Sequence, residues 1–145
     1  MAIATSTIRI AADRARLAEL RQFVREAATN ADAPIDCLDD LTQAVDEAAT
    51  NVILHGYRGN PGWLEITVGF DGSRFVVTIE DEAPAFDPTT RPEPDLAVPP
   101  ERRRPGGMGI HLIRAATDEL SWQARQEGGN ILTLVRARKT PQEEE

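Results

Sequence analysis

The stretch 63-WLEITVGFDGSRFVVTIED-81 decides the architecture. Its two halves are rich in β-branched and aromatic residues, alternate partly between apolar and polar, and flank 71-DGS-73, so they predict a β-hairpin. Upstream, 6-STIRIAA-12 alternates weakly and reads as an edge strand, while 13-DRARLAELRQFVREAATNA-31 carries Leu17, Leu20, Phe23 and Val24 at helical spacing. After a short loop with Pro34, Asp36 is expected to cap a second helix. Leu41, Ala44, Val45, Ala48 and Val52 form its apolar stripe, and Gly56, in a left-handed conformation, is expected to end it just after His55.

Downstream of the hairpin, Asp87 to Pro105 holds most of the prolines and the run 102-RRR-104, which predicts a long mobile loop without regular structure. Helical spacing returns at Ile110, Leu112, Ile113 and Ala116. A second hairpin is then predicted from 120-LSWQAR-125 and 131-ILTLVRAR-138, joined by 127-EGGN-130. Helices interleaved with hairpins, without strictly alternating βαβ units, predict an α+β fold. The expected form is a two-layer α/β sandwich whose mixed, mainly antiparallel sheet carries its helices on one face.

Composition narrows the function. At 145 residues and 41% hydrophobic content the chain has the length for one compact domain over 1–145, with an ordered core from about 5 to 138 and a polar tail, 139-KTPQEEE-145. A net charge of -8 argues against a general nucleic-acid or anionic-membrane surface, since both need clustered positive charge. A protein or small-ligand partner is expected. The single cysteine, Cys37, cannot form an internal disulfide, and no apolar run has the length of a signal-peptide core or membrane span, which predicts a cytoplasmic setting.

Three places carry possible chemistry. In 46-DEAATNVILHGY-57, Glu47 and Asn51 are four residues apart, and with His55 they line one border of the helix's apolar stripe. That is either a cleft wall or the polar flank of an amphipathic helix. Asp81 ends a strand, where a carboxylate can accept a hydrogen bond from an adenine amino group or simply bond its own turn. In 106-GGMGIHLI-113, glycines precede a helix, so the segment is either a phosphate-approaching helix start or a flexible linker. A dinucleotide fingerprint is excluded because no strand leads into these glycines and its third glycine is missing. A P-loop is excluded because no Gly-Lys-Ser/Thr occurs and the only lysine is Lys139.

The order of the three pieces is more specific than any one of them. It resembles the GHKL ATPase superfamily, with 47-EAATN-51 matching the N box, 81-DEAPAF-86 the G1 box and 106-GGMGI-110 the G2 box. Within it, 55-HGY-57, 86-FDP-88 and 106-GGMGIHLIRAATDEL-120 look like the anti-sigma-factor serine/threonine kinases of bacterial partner-switching systems. The resemblance covers roughly residues 5 to 138.

The resemblance implies ATP and Mg²⁺ as cofactors. Asn51 would ligate the metal, Glu47 would be the general base toward the attacking hydroxyl, and Asp81, beside Ala83, would read the adenine amino group. Gly107 and Gly109 would admit the phosphates, the loop from Asp87 to Pro105 would be the ATP lid, and Arg102, Arg103 and Arg104 would reach phosphate from it or form a solvated charge run. Implied partners are a sigma factor, an anti-sigma-factor antagonist as phosphorylation substrate, and a second copy of the chain in a homodimer. Ala83 and Ala85 stand at positions normally held by glycine, and alanine at positive φ would be strained. That departure opens an alternative, a degenerate binding module that regulates partners without phosphotransfer.

Overall fold

The computed structural model describes residues 4–90, 96–102 and 108–138. Strand β1 (Ala4–Ala11) is followed by helices α1 (Leu17–Asn30) and α2 (Ile35–Asn51), then by the hairpin of β2 (Trp63–Phe70) and β3 (Arg74–Asp81). Helix α3 (Met108–Ala116) leads into a second hairpin, β4 (Glu119–Ala124) and β5 (Asn130–Ala137). The sheet order is β1-β2-β3-β5-β4. Every neighbouring pair is antiparallel, so the sheet is not mixed as the sequence predicted. With no helix leading from one strand into a parallel neighbour, the helices need only cover a single face.

Period-two alternation sorts the strands. Ile10, Leu64, Ile66, Val68, Phe75, Val77, Ile79, Leu132 and Leu134 point to the helices and are buried. They meet Leu17, Leu20, Val24 and Ala28 of α1, and Leu38, Leu41, Ala44, Val45, Ala48 and Ala49 of α2. Each large apolar side chain removed from water here contributes roughly 1.5–3 kcal/mol. The opposite face shows a row of hydroxyls in register across all five strands: Thr7, Thr67, Thr78, Thr133 and Ser121.

Two helix ends differ from expectation. Asp36 is not the cap of α2 but lies in its first turn, where its carboxylate accepts the Cys37 N–H at 2.9 Å. Together with Asp40 it faces buried Arg136 of β5, at 3.7 and 3.1 Å, and so docks the start of α2 on the sheet. Beside this pair, burial pushes the Cys37 thiol up to about 11, leaving it protonated at neutral pH.

The other end of α2 opens into a π turn over Val52–Gly56, closed by the Tyr57 N–H on the Val52 carbonyl at 2.8 Å. Gly56 is not left-handed; Arg58 (φ 53°) and Gly59 (φ 84°) are. Gly56 instead leaves room for a close neighbour, because a Cβ there would lie 3.0 Å from the Ala83 methyl, tighter than an ordinary van der Waals contact. Within the loop predicted to lack regular structure, short 3₁₀ turns form at Pro88–Thr90 and Pro100–Arg102. Asp87 accepts the Thr89 N–H at 2.9 Å and caps the first of these.

Candidate functional site

A cleft of about 1150 Å³ opens at the end of the sheet where β3 finishes and β5 begins, walled by α2, α3 and the segment 81–86. Glu47, Asn51, Asp81, Ala83 and Gly109 all line it, as does His55. The i, i+4 spacing puts Glu47 and Asn51 on the same side of α2, and the fold then turns that side toward the cleft. The remaining predicted residues, Gly107, Arg103 and Arg104, lie outside the described residues. Arg102 is described and exposed.

Electrostatics distinguish the two carboxylates from surface acids. Removal from water raises the Glu47 pKa, with a further push from neighbouring Asp46. Asp81 is 1% exposed, and its pKa too is raised chiefly by desolvation, against hydrogen bonds from Asn130 and Ala83 that favour the charged form. Its Oδ1 accepts the Ala83 N–H and the Asn130 Nδ2 amide, both at 2.9 Å.

Asn51 sits at the contact between α2 and α3. A Cβ on Gly109 would lie 3.0 Å from its Nδ2 and 3.3 Å from its Oδ1, so any larger residue at this helix start would press on the amide and require it to shift by a few tenths of an ångström. The Asn51 amide makes no side-chain hydrogen bond to another described residue, leaving its oxygen available as a hard ligand. Among the described residues no group of three or more His, Cys, Asp or Glu is placed to hold a metal ion alone. A single amide oxygen suits Mg²⁺ held mainly by substrate phosphates and water.

Ala83 and Ala85 are not among the positive-φ residues, so neither alanine is strained by its backbone. Instead the Ala83 methyl is buried against Gly56 and forms part of the cleft wall.

The residue pattern of the histidine kinase-like ATPase domain matches residues 10–136. The chain belongs to this family. Among the relatives of this histidine kinase-like ATPase domain is the serine/threonine-protein kinase BtrW of Bordetella bronchiseptica, 36% identical over 96 residues, which are 66% of this chain and 67% of BtrW. The anti-sigma F factor of Heyndrickxia coagulans is 34% identical over 113 residues, 67% of this chain and 69% of that protein. The crystal structure of the RsbU and RsbW domains of Rv1364c from Mycobacterium tuberculosis superposes with a TM-score of 0.66 over 94% of this chain at 18% identity, a likeness of fold. The chain spans 33% of that longer polypeptide.

Several contacts in and behind the cleft escaped the sequence reading. Tyr57 is buried, and its hydroxyl accepts the Glu82 N–H at 2.8 Å while donating to the Trp63 carbonyl at 2.7 Å. Gly129 (φ 116°) lies so close to the Asp81 carbonyl that any Cβ would collide with it. Asn130 and Trp122 approach from the second hairpin. The glycines of 127-EGGN-130 were the available signal, since a turn with two of them marks close approach as well as chain reversal.

Proposed function

We propose that this chain is an ATP-dependent protein serine/threonine kinase that also binds and inhibits a sigma factor, its phosphate acceptor being a small anti-sigma-factor antagonist. The observation that carries the reading is the convergence of Asp81 with Glu47 and Asn51 on one cleft, in a chain of the histidine kinase-like ATPase family. The names of BtrW and of the anti-sigma F factors support the kinase and the sigma-factor parts respectively.

In this reading Asp81 accepts the adenine amino group and Gly109 lets the phosphates approach the start of α3. Asn51 holds Mg²⁺, which when bound neutralises phosphate charge. The acceptor's serine or threonine oxygen bonds to the γ-phosphorus as the bond from that phosphorus to the β–γ bridging oxygen breaks and ADP leaves. Glu47 takes the hydroxyl proton, and the raised pKa that burial gives it makes it a stronger base than a solvated glutamate. Gly107 and Arg104 keep the phosphate roles that the resemblance implies. Phosphorylation releases the antagonist, which leaves the kinase free to hold the sigma factor.

The same reading includes a homodimer, a cytoplasmic setting and no direct contact with nucleic acid or membrane. No helix among the described residues is long and apolar enough to cross a membrane. The binding-only alternative loses its main motive, because Ala83 and Ala85 adopt ordinary backbone conformations.

Transfer of labelled γ-phosphate from ATP to a co-encoded antagonist tests the kinase reading. Transfer that requires Mg²⁺ is expected. Mg²⁺-dependent ATP binding by calorimetry without any transfer would favour the binding module.

A further inference from the structure

Asn130 is the first residue of β5 and pairs in register with Asp81, the last of β3. Its carboxamide is engaged at both ends. The oxygen accepts the Trp122 indole Nε1–H at 2.8 Å and the Phe86 backbone N–H at 2.9 Å. The nitrogen donates to Asp81 Oδ1 at 2.9 Å and to the carbonyls of Ala83 and Pro84, each at 3.3 Å. An indole N–H and a backbone N–H only donate, while a carboxylate and carbonyls only accept. A flipped amide would therefore oppose every one of these partners, so the orientation is fixed by their chemistry.

The consequence falls on Asp81. Its Oδ1 is occupied by Ala83 and Asn130, whereas Oδ2 accepts no hydrogen bond from a described residue and belongs to a side chain that lines the cleft. The charges around it are few. Glu80 on its own strand disfavours ionisation, and Arg125 from the turn after β4 favours it while pairing with Glu80 at 2.9 Å. Beyond α2 the Tyr57 hydroxyl bonds the Glu82 N–H, Glu82 itself is exposed, and Glu47 of α2 lines the same cleft, as do His55 and Arg58 from the turn that follows α2. Helix α3 contributes Gly109, Ile110 and Ile113, none of which carries charge.

We propose that Asn130 is the positioning residue for adenine recognition: oriented by Trp122, it keeps Asp81 ionised with one oxygen free for the purine amino group. The same amide holds the loop through Phe86, and so ties base recognition to the root of the segment that begins at Asp87. This inference rests on the reading of Asp81 as the adenine acceptor.

The test measures ATP affinity against pH for wild type, Asn130→Ala, Asn130→Asp and Trp122→Phe, with Asp81→Asn in parallel. ATP's own ionisation is common to all and cancels in the comparison. Asn130→Asp sets a second carboxylate against Asp81, so its loss of affinity on acidification should begin at the highest pH, with ATP bound roughly 10- to 100-fold more weakly at neutral pH. Asn130→Ala should shift the acid limb less, and Trp122→Phe, which keeps the ring and loses the N–H, least. In all three the KM for ATP should rise while kcat holds, because none touches the phosphates.

Acid limbs that superimpose on wild type would overturn the inference, even with a uniform loss of affinity. Should the Asn130 variants fail to fold by circular dichroism, Trp122→Phe alone decides, since an unshifted limb there removes the orienting role. Wild-type ATP affinity in Asp81→Asn would instead overturn the reading of Asp81. Loss of ATP in Asp81→Asn with unshifted limbs elsewhere would leave that reading standing and sink only the role of Asn130.

Discussion

Tyr57 and Glu82 are joined by a hydrogen bond in which the phenolic oxygen accepts the backbone N–H at 2.8 Å. Through it the residue that closes the π turn after α2 holds the chain one residue beyond Asp81. Tyr57→Phe keeps the ring but strips partners from Glu82 N–H and from the Trp63 carbonyl, so stability should fall by about 1–3 kcal/mol. The KM for ATP should rise with it. Thermal denaturation and ATP titration check both, and unchanged ATP affinity would detach Tyr57 from the nucleotide site.

Gly56 and Ala83 are a steric pair, since a methyl on Gly56 would sit 3.0 Å from that of Ala83. Gly56→Ala should displace the 81–86 segment and weaken ATP binding, and adding Ala83→Gly should recover it. A double-mutant cycle on ATP affinity is expected to give a coupling of roughly 0.5–3 kcal/mol. A coupling indistinguishable from zero would mean that the loop absorbs the methyl without moving the site.

Glu47 and Asn51 should fail in different ways. Glu47→Ala is expected to keep Mg²⁺-ATP affinity yet transfer phosphate roughly 10²- to 10⁴-fold more slowly. Asn51→Ala should lose the metal-dependent part of binding. If the two merely flank a helix, both variants will retain wild-type affinity and rate, with stability changes of about 0.5 kcal/mol or less.

The pH dependence of transfer has a definite sign. The base must be ionised, and desolvation raises its pKa above the ordinary glutamate value of 4.5, so the rate should climb with pH through that raised value. Single-turnover rates should therefore show an acid limb lying above pH 4.5 that is absent from the residual rate of Glu47→Gln. The same limb in both proteins would assign it to another group.

Both hairpins, the three helices and the edge strand could be read from the chain because each follows from spacing within a few residues: period two in 63–70 and 74–81, helical period around Leu17 to Val24 and Leu41 to Val52. The same locality put Glu47 beside Asn51 and marked Asp81 as a strand end. What the chain alone left open was every fact that depends on register between distant segments.

Asn130 meets Asp81 across 49 residues of sequence because β5 pairs with β3, a neighbour relation that no local period encodes. The fit of Gly56 to Ala83 joins a helix end to a strand end in the same way. Whether the two alanines strain the site depended on their φ angles, and these are set by hydrogen bonds that residues such as Tyr57 and Asn130 supply from elsewhere in the fold. Sequence by itself determined the elements and the chemical types at the cleft, since propensity and periodicity act along the chain. Tertiary structure alone decided which oxygen of Asp81 is free and what holds it so, since hydrogen bonds act between groups that only folding brings within about 3 Å.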